Sequence, residues 1–329
     1  MTLGFTVKRP HGFSLQAAAS FYSGFTPGSG MAAADASAGT LTLAFRLDNT
    51  FAAVAVALRE DGDRIALECA GSDDEAAVRK QVSRMLGLDA DGHAWLEVGQ
   101  RDPVVGALQE ENTGFFTAAK ASPYDAAAWG IISPRMQMKQ AAKLKIAMGE
   151  KHGDVVVFRG RSHSVFPSPT QLLAIDSFAG LSEEKMLRLK GIAAAALAGK
   201  LDADRLRALD EDDALAELQE LPGVGPWTAG HILYRGAALV DALPTGEPRV
   251  LHGLAAAYGK KSVTVDEALA IGERWRPFRM WVCVLLARHL GRVGGWSNPS
   301  LRGERAEAGK RIAKKTKSRP TRRASAVSG

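Results

Sequence analysis

Leu221-Pro222-Gly223-Val224-Gly225-Pro226-Trp227-Thr228-Ala229 is a glycine hairpin set between two helical patterns. Upstream, Asp212 can cap a helix whose apolar Leu215 and Leu218 lie about one turn apart, and Pro222-Gly223 ends that helix. Downstream, Pro226 suits a first helical position and Gly236 is a natural stop. Lacking Cβ atoms, Gly223 and Gly225 can take positive φ and let another backbone come close. Free N–H groups at the new helix start face outward, a nest that suits a phosphate. A plain turn between two core helices can also use Gly-x-Gly. The longer string fixes caps, hairpin and helix start together, and so points to nucleic acid.

The surrounding 329 residues are enough for a sizeable core in two domains plus a tail. The net charge of +6 is uneven: Lys310 to Gly329 carries eight Lys and Arg and no acid, which leaves −2 for residues 1–309. A polyanion must therefore be gripped through local geometry rather than a global field. The two cysteines, Cys69 and Cys283, are too few for a disulfide framework, a four-cysteine zinc site or an iron–sulfur cluster, and read as buried thiols. The N-terminal segment lacks the apolar stretch of a secretory signal, and no apolar run approaches the ~18 residues of a membrane span. These features set a reducing, cytoplasmic compartment as the expectation.

Leu41 to Leu47, Phe51 to Leu58 and Arg64 to Cys69 are β-prone segments separated by Asp48-Asn49 and Asp61-Gly62-Asp63, which predicts an antiparallel meander. Ala77, Val78, Val82 and Met85 then recur at helical spacing within Asp74 to Leu86, so a helix packs on that sheet. Residues 1–100 thus read as an α+β domain. From Ser122 the period is helical, punctuated at Ser133-Pro134, Phe166-Pro167-Ser168-Pro169, Gly180, Gly236, Gly259 and Pro277. Residues 101–300 read as an all-α domain, and 301–329 as a basic disordered tail.

The hairpin string resembles the signature of the helix-hairpin-helix/GPD superfamily of DNA glycosylases, most closely its 3-methyladenine DNA glycosylase II (AlkA-like) branch. Tyr124 to Leu144 resembles that family's first core helices, and Phe166 to Asp202, with Leu181-Ser182-Glu183-Glu184-Lys185, the next pair. Glu273 to Arg279 resembles a late family segment, and the N-terminal sheet is similar to the branch's accessory domain. The resemblance implies a DNA N-glycosylase of base excision repair acting as a monomer on double-stranded DNA. It would flip a damaged, alkylated or otherwise modified base and hydrolyse its N-glycosidic bond without an organic cofactor. In a bacterium such a protein would be associated with the nucleoid.

The same resemblance distributes roles. Gly223, Val224, Gly225 and Thr228 would contact DNA, Trp227 would line the base pocket, and Glu247 in Pro244-Thr245-Gly246-Glu247-Pro248 falls where the family carries its catalytic Asp. Local chemistry agrees: Pro248 pushes Glu247 into an extended, cap-like position, and a helix N-terminus favours its ionised form. An anion there stabilises a sugar cation at C1′. Asp241 is a weaker candidate carboxylate. Trp227 stands where bifunctional relatives carry a Schiff-base Lys, and an indole has no nucleophilic amine, so the expected enzyme is monofunctional. Lys190 and Lys260 read as solvated charges.

Arg135 in Ser133-Pro134-Arg135-Met136-Gln137 takes the place of the minor-groove wedge. The aromatic positions that sandwich a flipped base hold Ala19, His231, Pro248 and Ala287, so stacking is reduced and His231 becomes a polar reader. In members that hold a monovalent cation, it would lie on the backbone carbonyls of Gln219, Leu221 and Val224. The basic tail would add salt-sensitive DNA affinity. The rival expectation is a catalytically silent lesion-binding or architectural DNA protein on the same fold, since Glu replaces Asp.

Overall fold

The computed structural model describes residues 2–24, 31–35, 39–117 and 119–293; the basic tail lies outside the described residues. The fold is α+β. Strands β1 (Thr2–Lys8), β2 (Ala32–Asp35), β3 (Thr40–Arg46), β4 (Ala53–Asp61) and β5 (Arg64–Ala70) form one antiparallel sheet in the order β1-β5-β4-β3-β2. The meander is β3–β4–β5, and β1 adds an edge beyond it, Thr2 opposite Ala70 and Lys8 opposite Arg64.

Strand alternation divides large from small residues rather than apolar from polar. Leu41, Leu43, Phe45, Val54, Val56, Leu58, Ile65, Leu67 and Cys69 are buried on one face, against α1 (Leu15–Gly24) and Val78, Val82 and Met85 of α2 (Glu75–Leu86). The opposite face carries Ala44, Ala55, Ala57 and Ala70. Such small side chains admit a second strand layer, and Phe158 and Val165 pack on them. These two come from a feature that helical periodicity did not predict, a hairpin of β6 (Asp154–Phe158) and β7 (Arg161–Val165) within the otherwise helical part. Its two-residue turn takes positive φ at Arg159 (49°) and Gly160 (71°), as tight hairpins require. Buried Arg46 fastens the layers by donating to the Phe166 carbonyl at 2.6 Å and pairing with Asp154 at 2.6 Å.

The helices α3 (Gly92–Arg101), α4 (Pro103–Glu111), α5 (Pro123–Ile132), α6 (Met138–His152), α7 (Pro169–Leu173), α8 (Glu183–Leu197), α9 (Ala203–Ala208) and α10 (Glu211–Gln219) follow in order. Next come α11 (Pro226–Gly230), which runs on as a π-helix over His231–Gly236, then α12 (Pro248–Ala257), α13 (Val265–Gly272) and α14 (Arg279–Arg292). One core gathers α5, α6, α8, α10 and the π-helix around Trp129, Ile132, Met148, Leu189, Leu218 and Ile232. The other is shared by both ends of the described chain: Phe13, Trp95 and Phe116 pack with Leu254, Trp275, Phe278, Trp281 and Leu285. Trp95 meets Trp281 edge-on at 5.3 Å. Periodicity changes near residue 100, while this core runs across that point. No described helix is long and apolar enough to cross a membrane.

Candidate functional site

The hairpin is held by what it buries. Leu221 and Val224 are sunk in the helical core, and Val224 donates its N–H to the Leu221 carbonyl at 3.0 Å. Pro222, Gly223, Gly225, Pro226 and Trp227 face outward. Gly223 takes the left-handed conformation, φ 83°, but Gly225 sits at −91°, so the expectation of positive φ holds for the first glycine alone. A Cβ at Gly225 would meet open space. Among the described residues neither glycine passes its N–H to a backbone acceptor. The upstream cap also differs from expectation: Asp210, not Asp212, caps α10, and the Asp210 carboxylate accepts the Asp212 N–H at 3.0 Å. The shift reflects the run of four acids, any of which could have started the helix.

Thr228 is buried, its Cγ2 against Gly130 of α5, where an added Cβ would approach to 2.5 Å. The side chain is thus packed against α5, unlike the outward-facing residues of the hairpin. Trp227 remains 43% exposed.

Pro244 to Glu247 forms a turn closed by the Glu247 N–H on the Pro244 carbonyl at 3.0 Å, and Pro248 starts α12. Glu247 is the N-cap, its carboxylate accepting the Arg249 N–H at 3.3 Å. Trp227 joins the hairpin to this carboxylate: its Nε1–H donates to Glu247 Oε2 at 2.6 Å. Arg249 adds Nε to Oε1 at 3.1 Å and Nη2 to Oε2 at 3.4 Å. Burial pushes this carboxyl up, but the Arg249 guanidinium, the indole N–H and the helix N–H outweigh it, holding it below the usual carboxylate range. It is an anion at neutral pH.

Behind Trp227, His231 stacks on the indole with centroids 5.2 Å apart and planes 6° apart. Its Nε2 is buried without a partner. Burial, with Lys120 and Arg235 nearby, holds the imidazole neutral, well below its ordinary range. Beneath lies a polar layer. Asp125 of α5 pairs with Lys145 and, at 3.7 Å, with Lys120, whose ammonium sits 5.1 Å from the centre of the Trp129 ring. Burial lowers Lys120 to about 7, whereas Lys145 and Lys120 together overcome the effect of burial on Asp125 and hold it ionised.

Arg135 stands on the outer loop after α5 in the left-handed conformation, φ 60°. Lys185 of α8 anchors that loop, donating to the carbonyls of Ile132 at 2.6 Å and Pro134 at 2.8 Å. Of the remaining positions, Ala19 belongs to α1, Pro248 to the first turn of α12 and Ala287 to α14. Asp241 is engaged by Arg276 at 2.6 Å and Arg279 at 2.7 Å, so it is a structural ion-pair partner. Lys190 and Lys260 pair with surface acids, Asp176 and Glu267. The Leu221 carbonyl, already accepting from Val224, keeps one lone pair for a cation. Among the described residues no group of three or more His, Cys, Asp or Glu could hold a metal ion. Recesses of about 520 and 550 Å³ flank the β6–β7 hairpin, and neither is lined by Glu247, Trp227 or His231.

Sequence reasoning missed Arg249, Lys120, Asp125, Lys145 and Lys185. Arg249 had a signal, a cation two residues after a capping carboxylate. The others are joined only by the fold.

No protein-family model matches the chain. A DNA-3-methyladenine glycosylase of Bacillus subtilis is 26% identical over 217 residues, 64% of this chain and 71% of that protein. A probable bifunctional transcriptional activator/DNA repair enzyme AlkA of Mycobacterium tuberculosis is 30% identical over 205 residues, 60% of this chain and 40% of that protein. Among solved structures, a 3-methyladenine DNA-glycosylase from Archaeoglobus fulgidus shares the fold with a TM-score of 0.71 at 20% identity, covering 87% of this chain and 98% of that one.

Proposed function

We propose, since this chain belongs to the AlkA-like superfamily of DNA glycosylases, that it is a monofunctional DNA N-glycosylase of base excision repair. The observation that carries this reading is the 2.6 Å hydrogen bond between Trp227 and Glu247, which ties an ionised carboxylate to the outward glycine hairpin. A duplex gripped at Gly223–Gly225 through its phosphates brings a flipped nucleotide's C1′ to that anion.

The chemistry asked of the residues is brief. The C1′–N bond breaks with its electron pair leaving on the base, and Glu247 stabilises the oxocarbenium left behind. Water adds to C1′ and its proton leaves to solvent, giving an abasic site and free base. Trp227 orients the carboxylate and offers no amine, so the strand stays intact. Arg135, on a loop tied down by Lys185, fills the gap left in the stack. The substrate is an alkylated or otherwise modified base in double-stranded DNA, with His231 reading a polar edge.

The test is incubation with duplexes that each carry one alkylated, deaminated or bulky base, for wild type and Glu247→Gln. Abasic product from wild type alone, with no borohydride-trapped adduct, supports the reading. Tight binding with no product from any duplex would return the chain to the silent lesion-binding alternative.

A further inference from the structure

Glu247 presents little free charge. Oε1 receives the Arg249 backbone N–H and Nε, and Oε2 receives Trp227 Nε1 and Arg249 Nη2. The indole N–H is neutral and only orients the carboxylate, but the guanidinium cancels its charge. A carboxylate stabilises a developing cation through net negative potential, so a paired one is a poor partner for an oxocarbenium. The ion pair that favours ionisation of Glu247 thus opposes the use of that ionisation.

The guanidinium is not locked in place. Its side chain is 43% exposed against 22% for Glu247, and a partly exposed pair of this kind contributes little net free energy. Arg249 stands on the second residue of α12, and it shares the Glu247 carboxylate with Trp227, two residues after Gly225 of the outward hairpin. A guanidinium matches a phosphodiester in the same two-pronged geometry as a carboxylate, and a duplex offers it a dense line of phosphates whose counterions are released on contact.

Resting on the reading of Glu247 as the group that faces C1′, we propose that Arg249 is a phosphate-capturing residue. It quenches Glu247 in the free protein and leaves it for a backbone phosphate when DNA seats. The anion is then uncovered only inside the complex, with Trp227 still orienting it. Arg249 acts on the reaction through Glu247 and is a positioning residue with a binding role of its own.

The experiment needs no turnover. The Glu247 side-chain carboxyl is followed by carbon-13 NMR across pH in wild type and Arg249→Gln, its resonance identified by its loss in Glu247→Gln. Each protein is measured alone and with a short duplex carrying a tetrahydrofuran abasic analogue. In the free proteins Glu247 should titrate at higher pH in Arg249→Gln than in wild type, and in the complexes this difference should vanish. Affinity for the same duplex, titrated with salt, should lose a slope of about one in Arg249→Gln, and Arg249→Lys should keep it. A wild-type-to-variant difference that persists in the complex, none in the free proteins, or an unchanged salt slope overturns the proposal. Absence of excision on every lesion would instead remove the glycosylase reading, with the NMR and salt results unaffected.

Discussion

Lys185 reaches from α8 to the carbonyl of Pro134, 2.8 Å away, and so fixes the backbone one residue before Arg135. Its second bond, to the Ile132 carbonyl, ties the same ammonium to the end of α5. Charged hydrogen bonds of this kind contribute about 1.5–3 kcal/mol. Lys185→Met should lower the melting temperature by only a few degrees, because an exposed loop is what is released. It should weaken binding to an abasic-analogue duplex about tenfold, with little effect on undamaged DNA. Equal loss on both duplexes would show Lys185 to be a plain phosphate contact.

The two hairpin glycines should separate in mutagenesis. Gly223→Ala puts a Cβ on a residue at φ 83°, beside Arg188 Cδ at 2.4 Å. The arginine can swing away, so the backbone dominates the cost, about 1–2 kcal/mol. Gly225→Ala has an ordinary φ and open space, and stability should hold within about 0.5 kcal/mol. DNA affinity should nevertheless fall in both, since a methyl at Gly225 would occupy the place proposed for a phosphate. Thermal melts and fluorescence anisotropy on the same preparations check this; wild-type affinity in Gly225→Ala would exclude the nest.

Restoring aspartate at residue 247 should harm this protein. The Trp227 and Arg249 contacts are built to the length of glutamate, and Glu247→Asp draws the carboxylate back by one methylene. A misplacement of ~1 Å costs on the order of 100-fold in rate. Single-turnover excision should therefore fall about 10- to 100-fold in Glu247→Asp and further in Glu247→Gln, with duplex binding retained. A faster aspartate variant would mean that the site adapts to the shorter side chain.

Stability should rise with pH from the acid side to about 9, for two reasons of the same sign. Buried His231 has its pKa held well below 6.5, so below that pH the unfolded chain takes up a proton that the folded one resists. Lys120, at about 7 in the fold against an ordinary 10.5, holds fewer protons than the unfolded chain between those values. Melting temperatures should thus fall as pH drops below 6.5 and rise from about 7 toward 9; above 9 the slope reverses, because the buried thiols of Cys69 and Cys283, pushed up to about 11 and about 12, keep protons that the unfolded chain loses. His231→Gln should flatten the first limb and Lys120→Met the second.

What the sequence disclosed was local. Pro and Gly at Leu221–Ala229 set their own dihedral limits, and Pro248 fixes Glu247 as a cap, so hairpin and carboxylate were readable without partners. Gly225 departs from expectation because glycine permits positive φ without requiring it. The β6–β7 hairpin escaped because five-residue strands carry too few alternations, and only its turn residues marked it. The layer of Lys120, Asp125 and Lys145 had no legible signal. Its ion pairs join a loop, α5 and α6, and a surface lysine looks identical to a buried one in sequence.

The packing of Trp95 and Phe116 against Trp281 and Leu285 has a consequence for the order of synthesis. Strands β1–β5 leave the ribosome well before the side chains of α14 that close their core. Until α14 emerges, Phe13, Trp95 and Phe116 are exposed without their partners. Until then the nascent chain must stay soluble with that apolar surface open.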